Sequence, residues 1–233
     1  SIVKLTLLNT ERGYYNFKVR VTDSFDPPNT SDFSEEIMMY CGPVNSEFAE
    51  NFEGGSLPKY GINEGWELTN EFSFSNPNSI TDSKEGKYGR EKSNFFTLFP
   101  VRNGSWNALR FRHAAVVHVS DSAVVEISSD MGRNWQTLKS YNKTSFQPWN
   151  DNNLDDADWK EETIIIDVFL TGEDIVTVRF RLATNPVFED DGWYLDDISF
   201  DMITGVDEVT VEKEYFEIYP NPSSDKIVIN LKN

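Results

Sequence analysis

The chain has 233 residues, 21 Lys and Arg against 39 Asp and Glu, a net charge of −18, and 38% hydrophobic residues. Its 17 Phe, 9 Tyr and 6 Trp exclude a disordered chain, which would be poor in aromatics. The acidic balance argues against nucleic acid and anionic membranes as partners, because both demand a basic face, and no apolar stretch nears the roughly 20 residues of a membrane-spanning helix, so no membrane insertion is expected.

In chain order, the period-two and short apolar runs predict strands at Val3–Leu8, Tyr15–Val21, Glu36–Tyr40, Ala108–Arg112, Ala115–Val119, Ala123–Ile127, Glu162–Val168, Ile175–Leu182 and Trp193–Phe200. No segment offers an amphipathic helix of three turns. Strands without helical crossovers point to an all-β, antiparallel sandwich. Cys41 is the single cysteine, which excludes an intramolecular disulfide and a thiolate zinc cluster and reads as a half-buried structural thiol.

The first strands carry a resemblance. Tyr14-Tyr15-Asn16-Phe17-Lys18-Val19-Arg20-Val21, then Ser31 to Cys41, resembles the last strands of a fibronectin type III domain, so residues 1–42 are expected to be its C-terminal part. A whole domain needs roughly 100 residues and the chain opens without Met, so it reads as a piece of a longer protein.

Residues 43–203 form one sandwich-sized block. Its opening Phe52-Glu53-Gly54-Gly55, with Pro58 and Gly65-Trp66, and its closing Asp191-Gly192-Trp193-Tyr194-Leu195-Asp196-Asp197-Ile198 resemble the MAM-like jelly-roll modules of bacterial secreted proteins, including immune-inhibitor-A-type metallopeptidases. The resemblance implies a jelly-roll β-sandwich with Trp66, Trp135 and Trp193 in its core. Residues 204–214 read as an acidic linker. Residues 215–233, with the Tyr219-Pro220-Asn221-Pro222 turn before an alternating strand, are similar to the start of a type IX secretion sorting domain. That implies a bacterial protein, exported through the periplasm to the outer surface or the medium, with the type IX machinery as a partner.

Three constellations bear on chemistry. His113 and His118 are the only histidines; five apart on strand-like sequence, they fall on opposite faces and do not share a metal. No His-Glu-x-x-His and no Gly-x-Ser-x-Gly is present, so the chain itself is not read as an enzyme. The jelly-roll resemblance implies a structural calcium ion between the opening and closing strands, with Glu53, Asp196 and Asp197 as ligands; the alternative is that Asp197 or Glu53 accepts backbone N–H bonds or pairs with an arginine.

A second acidic run places Asp151, Asn153, Asp155 and Glu162 at the liganding positions of a calcium loop, but Asp156 stands where the sharp turn needs glycine, so it reads as a solvated loop. Trp149 and Trp159 fall between strands and are the candidates for exposed sugar-stacking rings. The function expected is therefore an accessory or interaction module, next to a sorting signal, of a secreted or cell-surface peptidase. The alternative is an adhesion or carbohydrate-binding module with a protein or glycan partner.

Overall fold

The computed structural model describes residues 11–57, 61–84, 86–102, 104, 106–151, 153–166, 175–203, 216–219 and 228–231. The strands are β1 (Gly13–Phe17), β2 (Ile37–Cys41), β3 (Ala49–Glu50), β4 (Gly61–Glu64), β5 (Glu67–Thr69), β6 (Ser79–Thr81), β7 (Ser93–Leu98) and β8 (Val101–Arg102). They continue as β9 (Ala108–Val116), β10 (Ser122–Ser128), β11 (Gln136–Tyr141), β12 (Lys160–Ile165), β13 (Ile175–Ala183), β14 (Gly192–Asp201), β15 (Phe216–Tyr219) and β16 (Val228–Leu231). Among the described residues there is no α-helix, and the 3₁₀ turns include Gln147–Asp151 and Asp156–Asp158.

The main unit is an antiparallel jelly-roll β-sandwich. One sheet runs β11-β10-β13-β7-β4, with β8 also on β13; the other runs β12-β9-β14-β6-β5, with β3 also on β14. Alternation decides which side chains enter the layer between the sheets. On β9, Leu109, Phe111, His113 and Ala115 point inward, and on β14 Trp193, Leu195 and Phe200 do; β13 answers with Val176, Val178, Phe180 and Leu182. Phe180 packs edge-on against Phe111 at 5.2 Å and Trp193 at 5.7 Å, tying one sheet to the other. Rings in such a layer each contribute several kcal/mol through burial.

Ala108–Arg112 and Ala115–Val119, read as separate strands, are one strand, β9, ending at Val116. His113, which interrupts the apolar pattern, is fully buried there because its Nδ1 accepts the indole N–H of Trp193 at 3.2 Å. Burial, with Lys160 and Lys139 nearby, holds its pKa well below the ordinary histidine value, so it is neutral. His118 lies in the loop after β9, stacked on Phe188 at 4.0 Å. His118 lies beyond the end of β9, so the two histidines do not occupy opposite faces of one strand, the arrangement their spacing predicts.

The β1–β2 pair is antiparallel, with Gly13 opposite Cys41. It leans on the sandwich through Tyr14, whose hydroxyl lies 3.2 Å from Thr177 Oγ1, and through Arg12, whose guanidinium sits 4.2 Å above the Phe99 ring. Beyond Phe17 the pairing loosens to single bonds, such as Ser31 N to Val21 O at 2.8 Å, so the strand expected over Tyr15–Val21 is regular only in its first half. Cys41 is a free, half-buried thiol. The second unit holds the antiparallel pair β15–β16, with Phe216 opposite Leu231. The strand expected over Val3–Leu8, the linker 204–214 and Pro220, Asn221 and Pro222 lie outside the described residues; Tyr219 ends β15.

Candidate functional site

The outer face of the β12-β9-β14-β6-β5 sheet is where the sandwich departs from a plain solvated surface. Ala114 of β9 and Tyr194 of β14 are buried there beneath Phe72, Leu154 and Trp159. Phe72 stacks on Trp159 at 4.7 Å with the planes 16° apart and meets Tyr194 edge-on at 5.5 Å. Beside this aromatic cluster opens a cleft of about 440 Å³, rimmed by Glu71, Phe72, Lys87, Asp190, Asp191 and Tyr194.

The cleft is assembled from five sequence-distant pieces: the loop after β5, the turn after β6, the end of β9 at Val116, the loop at Asn153 and Leu154, and the start of β14 with the residues before it. The junction of the turn after β6 with β14 is tight. Gly192 has φ 125°, and a Cβ there would lie 2.0 Å from Ser83 Oγ and 3.0 Å from Asp82 Oδ1, so only glycine fits. Ser83 Oγ donates to the Asp191 carbonyl, and Asp82 Oδ1 accepts Trp193 N–H at 2.9 Å. Burial pushes the Asp82 carboxyl up to about 7, with the Asp191 charge adding to it. Burial also raises Asp191, with Asp190 and Glu71 as further negative neighbours. Lys143 pairs with Asp190 at 3.1 Å and leaves Asp191 uncompensated by that lysine.

The residues expected to ligate calcium behave otherwise. β3 and β14 are indeed adjacent, with Glu50 opposite Ile198. An extra residue in β14 between Asp196 and Ser199, with Asp197 at φ 45°, forms a bulge that turns both aspartates toward the loop at 73–78. Asp196 Oδ2 accepts Phe74 N–H at 2.9 Å and Ser75 N–H at 3.0 Å, and its Oδ1 accepts Asp197 N–H at 2.8 Å. Ser75 Oγ lies 3.1 Å from Asp196 Oδ1 and 3.0 Å from Asp197 Oδ1, while Glu53 Oε1 accepts Asn78 N–H at 3.2 Å.

Each of the three therefore fastens the same loop by accepting donors from it, and Asp196, fully buried, has both oxygens filled. So arranged, the trio does not fit a calcium ligand set, and among the described residues no three His, Cys, Asp or Glu side chains gather as metal ligands. In the Asp151–Glu162 run, Asp155 caps the second 3₁₀ turn and Glu162 faces inward between Lys139 (2.7 Å) and Lys160 (2.8 Å), so Glu162 is no part of a calcium loop.

The stacking tryptophans are corrected by the structure. Trp149 is 0% exposed, its indole N–H donating to the Asp158 carbonyl at 2.8 Å, because the 3₁₀ turn folds it under the sandwich. Trp159 is 8% exposed and serves as backing for Phe72. Trp66 and Trp193 are in the core as expected, but Trp135 is only half-buried, with Arg179 4.1 Å above its ring. The ring that borders the cleft, Phe72, sits in a turn-rich stretch with no periodic pattern. The one signal for this site in the sequence is the Asp190-Asp191 pair before Gly192-Trp193.

A serine–histidine contact also occurs, Ser120 Oγ to His118 Nδ1 at 3.0 Å. Ser120 N–H lies 3.2 Å from the same nitrogen, two residues along, which makes it a local turn contact and not a nucleophile and its base.

No protein-family model matches the sequence, and no curated protein does. Among solved structures, the K2 cleaved adhesin domain of Lys-gingipain is similar at 16% identity, with 67% of this chain and 99% of that one covered and a TM-score of 0.44. The K3 cleaved adhesin domain of the same protein, from Porphyromonas gingivalis, aligns at 15% identity over 67% and 99% with a TM-score of 0.41. A xylan-binding domain of Xyn10C from Paenibacillus barcinonensis aligns at 9% identity over 71% and 100% with a TM-score of 0.42. Identities this low say nothing of ligand or activity.

Proposed function

We propose that this chain is a non-catalytic accessory module of an exported bacterial protein, and that the cleft beside Phe72 and Tyr194 holds a polyhydroxylated, glycan-type partner. One observation carries the reading: an aromatic ring, Phe72 backed by Trp159, lines the same 440 Å³ cleft as Glu71, Asp190 and Asp191. A sugar presents an apolar C–H face to such a ring and hydroxyl donors to such acceptors. Titration calorimetry of the native protein against a glycan panel tests it. A binder is expected, and Phe72→Ala is expected to weaken it at least tenfold; no binder, or a binder indifferent to Phe72→Ala, overturns the reading.

The parent's context, a secreted or cell-surface peptidase with this module beside its catalytic part, is supported by the opening and closing segments shared with MAM-like modules. The sorting role is supported by the Tyr219-Pro220-Asn221-Pro222 sequence ahead of the β16 strand. Removing residues 215–233 from the native protein is expected to trap it in the periplasm, as read by cell fractionation. Undiminished appearance at the surface or in the medium would sink the sorting role.

A further inference from the structure

The junction beneath the cleft contains an electrostatic imbalance that the hydrogen bonds of the fold do not resolve, and it shares Asp191 with the proposed glycan contact. Asp82 is only 9% exposed; its Oδ1 is occupied by Trp193 N–H, and its Oδ2 has no hydrogen-bond partner. On the other side of Gly192, Asp191 Oδ2 is likewise buried without a partner. A buried carboxylate oxygen without a donor is costly, and the Asp191 charge adds to the cost of ionising Asp82. Asp190 and Glu71 add negative charge around Asp191, against a hydrogen bond from the Tyr194 side chain and the charge of Lys87. Asp82 also lines a second cleft of about 340 Å³, together with Glu67, Ser83, Lys84 and Lys87 among others.

We infer that the Asp82–Gly192–Asp191 corner is a binding site for a hard divalent cation of the Ca²⁺ class, with Asp82 Oδ2 and Asp191 Oδ2 as its two carboxylate ligands. Hard cations of this kind take oxygen ligands, six to eight for Ca²⁺, so backbone carbonyls, a hydroxyl and water complete the set. Two carboxylates place the affinity with that of extracellular modules, a Kd of roughly 10⁻⁴–10⁻³ M. The ion would neutralise the corner that anchors the turn after β6 to the start of β14, and so stiffen one wall of both clefts. This site is separate from Glu53, Asp196 and Asp197, whose oxygens already accept donors from the loop they fasten.

The test uses the full chain at pH 7.5. With 10 mM Ca²⁺ in place of EDTA, Tm is expected to rise by roughly 3–8 °C, as binding at about 10–100 times Kd requires for a protein of this size. Tb³⁺ is expected to bind competitively and to luminesce on tryptophan excitation, since Trp193 is bonded to Asp82 through its backbone. Asp191→Asn and Asp82→Asn should each weaken Tb³⁺ binding at least tenfold, with fold checked by near-UV circular dichroism. Asp191→Asn, at a half-exposed residue, keeps the test decisive if Asp82→Asn does not fold.

Glu53→Gln and Asp197→Asn should leave Tb³⁺ binding intact. No Ca²⁺ shift in the wild type would mean that the corner is balanced by a proton, and would overturn the inference. So would a shift that survives both Asp82→Asn and Asp191→Asn but is lost in Glu53→Gln.

Discussion

Trp193→Ala is expected to destabilise the sandwich by about 4–5 kcal/mol, the upper range for a buried aromatic reduced to alanine. The ring is 0% exposed and lies where both sheets meet, edge-on to Phe180 and Trp66, each at 5.7 Å. Two losses combine. The vacated volume cannot collapse, because its walls are strands locked into their ladders, and His113 Nδ1 loses the indole donor it accepts at 3.2 Å. An orphaned buried acceptor adds about 1–3 kcal/mol to the cavity. Trp193→Phe separates the two: it keeps most of the ring and removes the N–H, so about 1–2 kcal/mol is expected. Urea unfolding followed by tryptophan emission measures both, with an unchanged m-value showing that the comparison is like for like. A loss under 1 kcal/mol for Trp193→Ala would mean that the core does not close around this ring.

The strands around this ring show what was legible in the sequence. The β13 run from Val178 to Leu182 alternates because one face of the strand is buried there, and that periodicity survives in the chain, whereas β14 is buried on both faces from Gly192 to Asp196. β3, β5, β6 and β8 are two or three residues long, too short for any period to be seen, and took their place only through pairing with longer neighbours. β7 reads as Ser93-Asn94-Phe95-Phe96-Thr97-Leu98, with its last three residues all buried, because it is covered on both faces at that end.

Trp149 was misjudged for a related reason: loop residues are solvated on average, but a 3₁₀ turn after β11 returns this one to the core beside His113, 5.0 Å away. The cleft was the least legible part. Glu71, Asp82 and Asp191 become neighbours through tertiary pairing alone, and of two adjacent aspartate pairs in the closing segment, the pair on the far side of Trp193 proved to be a hydrogen-bonded loop anchor.

The electrostatics of the opposite sheet support a second large effect. Glu126 of β10 is buried between two arginines of β13: its Oε2 lies 2.7 Å from Arg179 Nη2, and its Oε1 lies 2.9 Å from Arg181 Nη2. Glu126→Ala is expected to cost about 3 kcal/mol, because it leaves two guanidinium groups facing each other with no anion between them. Glu126→Gln should cost less, since an amide oxygen still accepts from one of them.

The pH dependence follows from which way each acid is shifted. Burial alone would raise Glu126, but the bonds from Arg181 and Arg179 outweigh it and hold the carboxyl below its ordinary value. Its stabilisation is therefore complete above the unfolded value near 4.3 and is lost as pH falls through the lower folded value. Asp82, raised to about 7, and Asp196, raised to about 6, both chiefly by burial, act in the opposite sense. In the folded state they hold protons that the unfolded chain releases, so stability grows as pH falls from about 7.5 toward 5. A net charge of −18 reinforces this, since each proton bound lowers self-repulsion.

Unfolding free energy measured in EDTA across pH 3–8 should therefore peak near pH 5 and fall below pH 4. Glu126→Ala should flatten the acid side of that curve and leave the neutral side unchanged. A wild-type maximum at or above pH 7 would mean that the Asp82 and Asp196 carboxylates are ionised at no cost, which their burial in this fold does not allow.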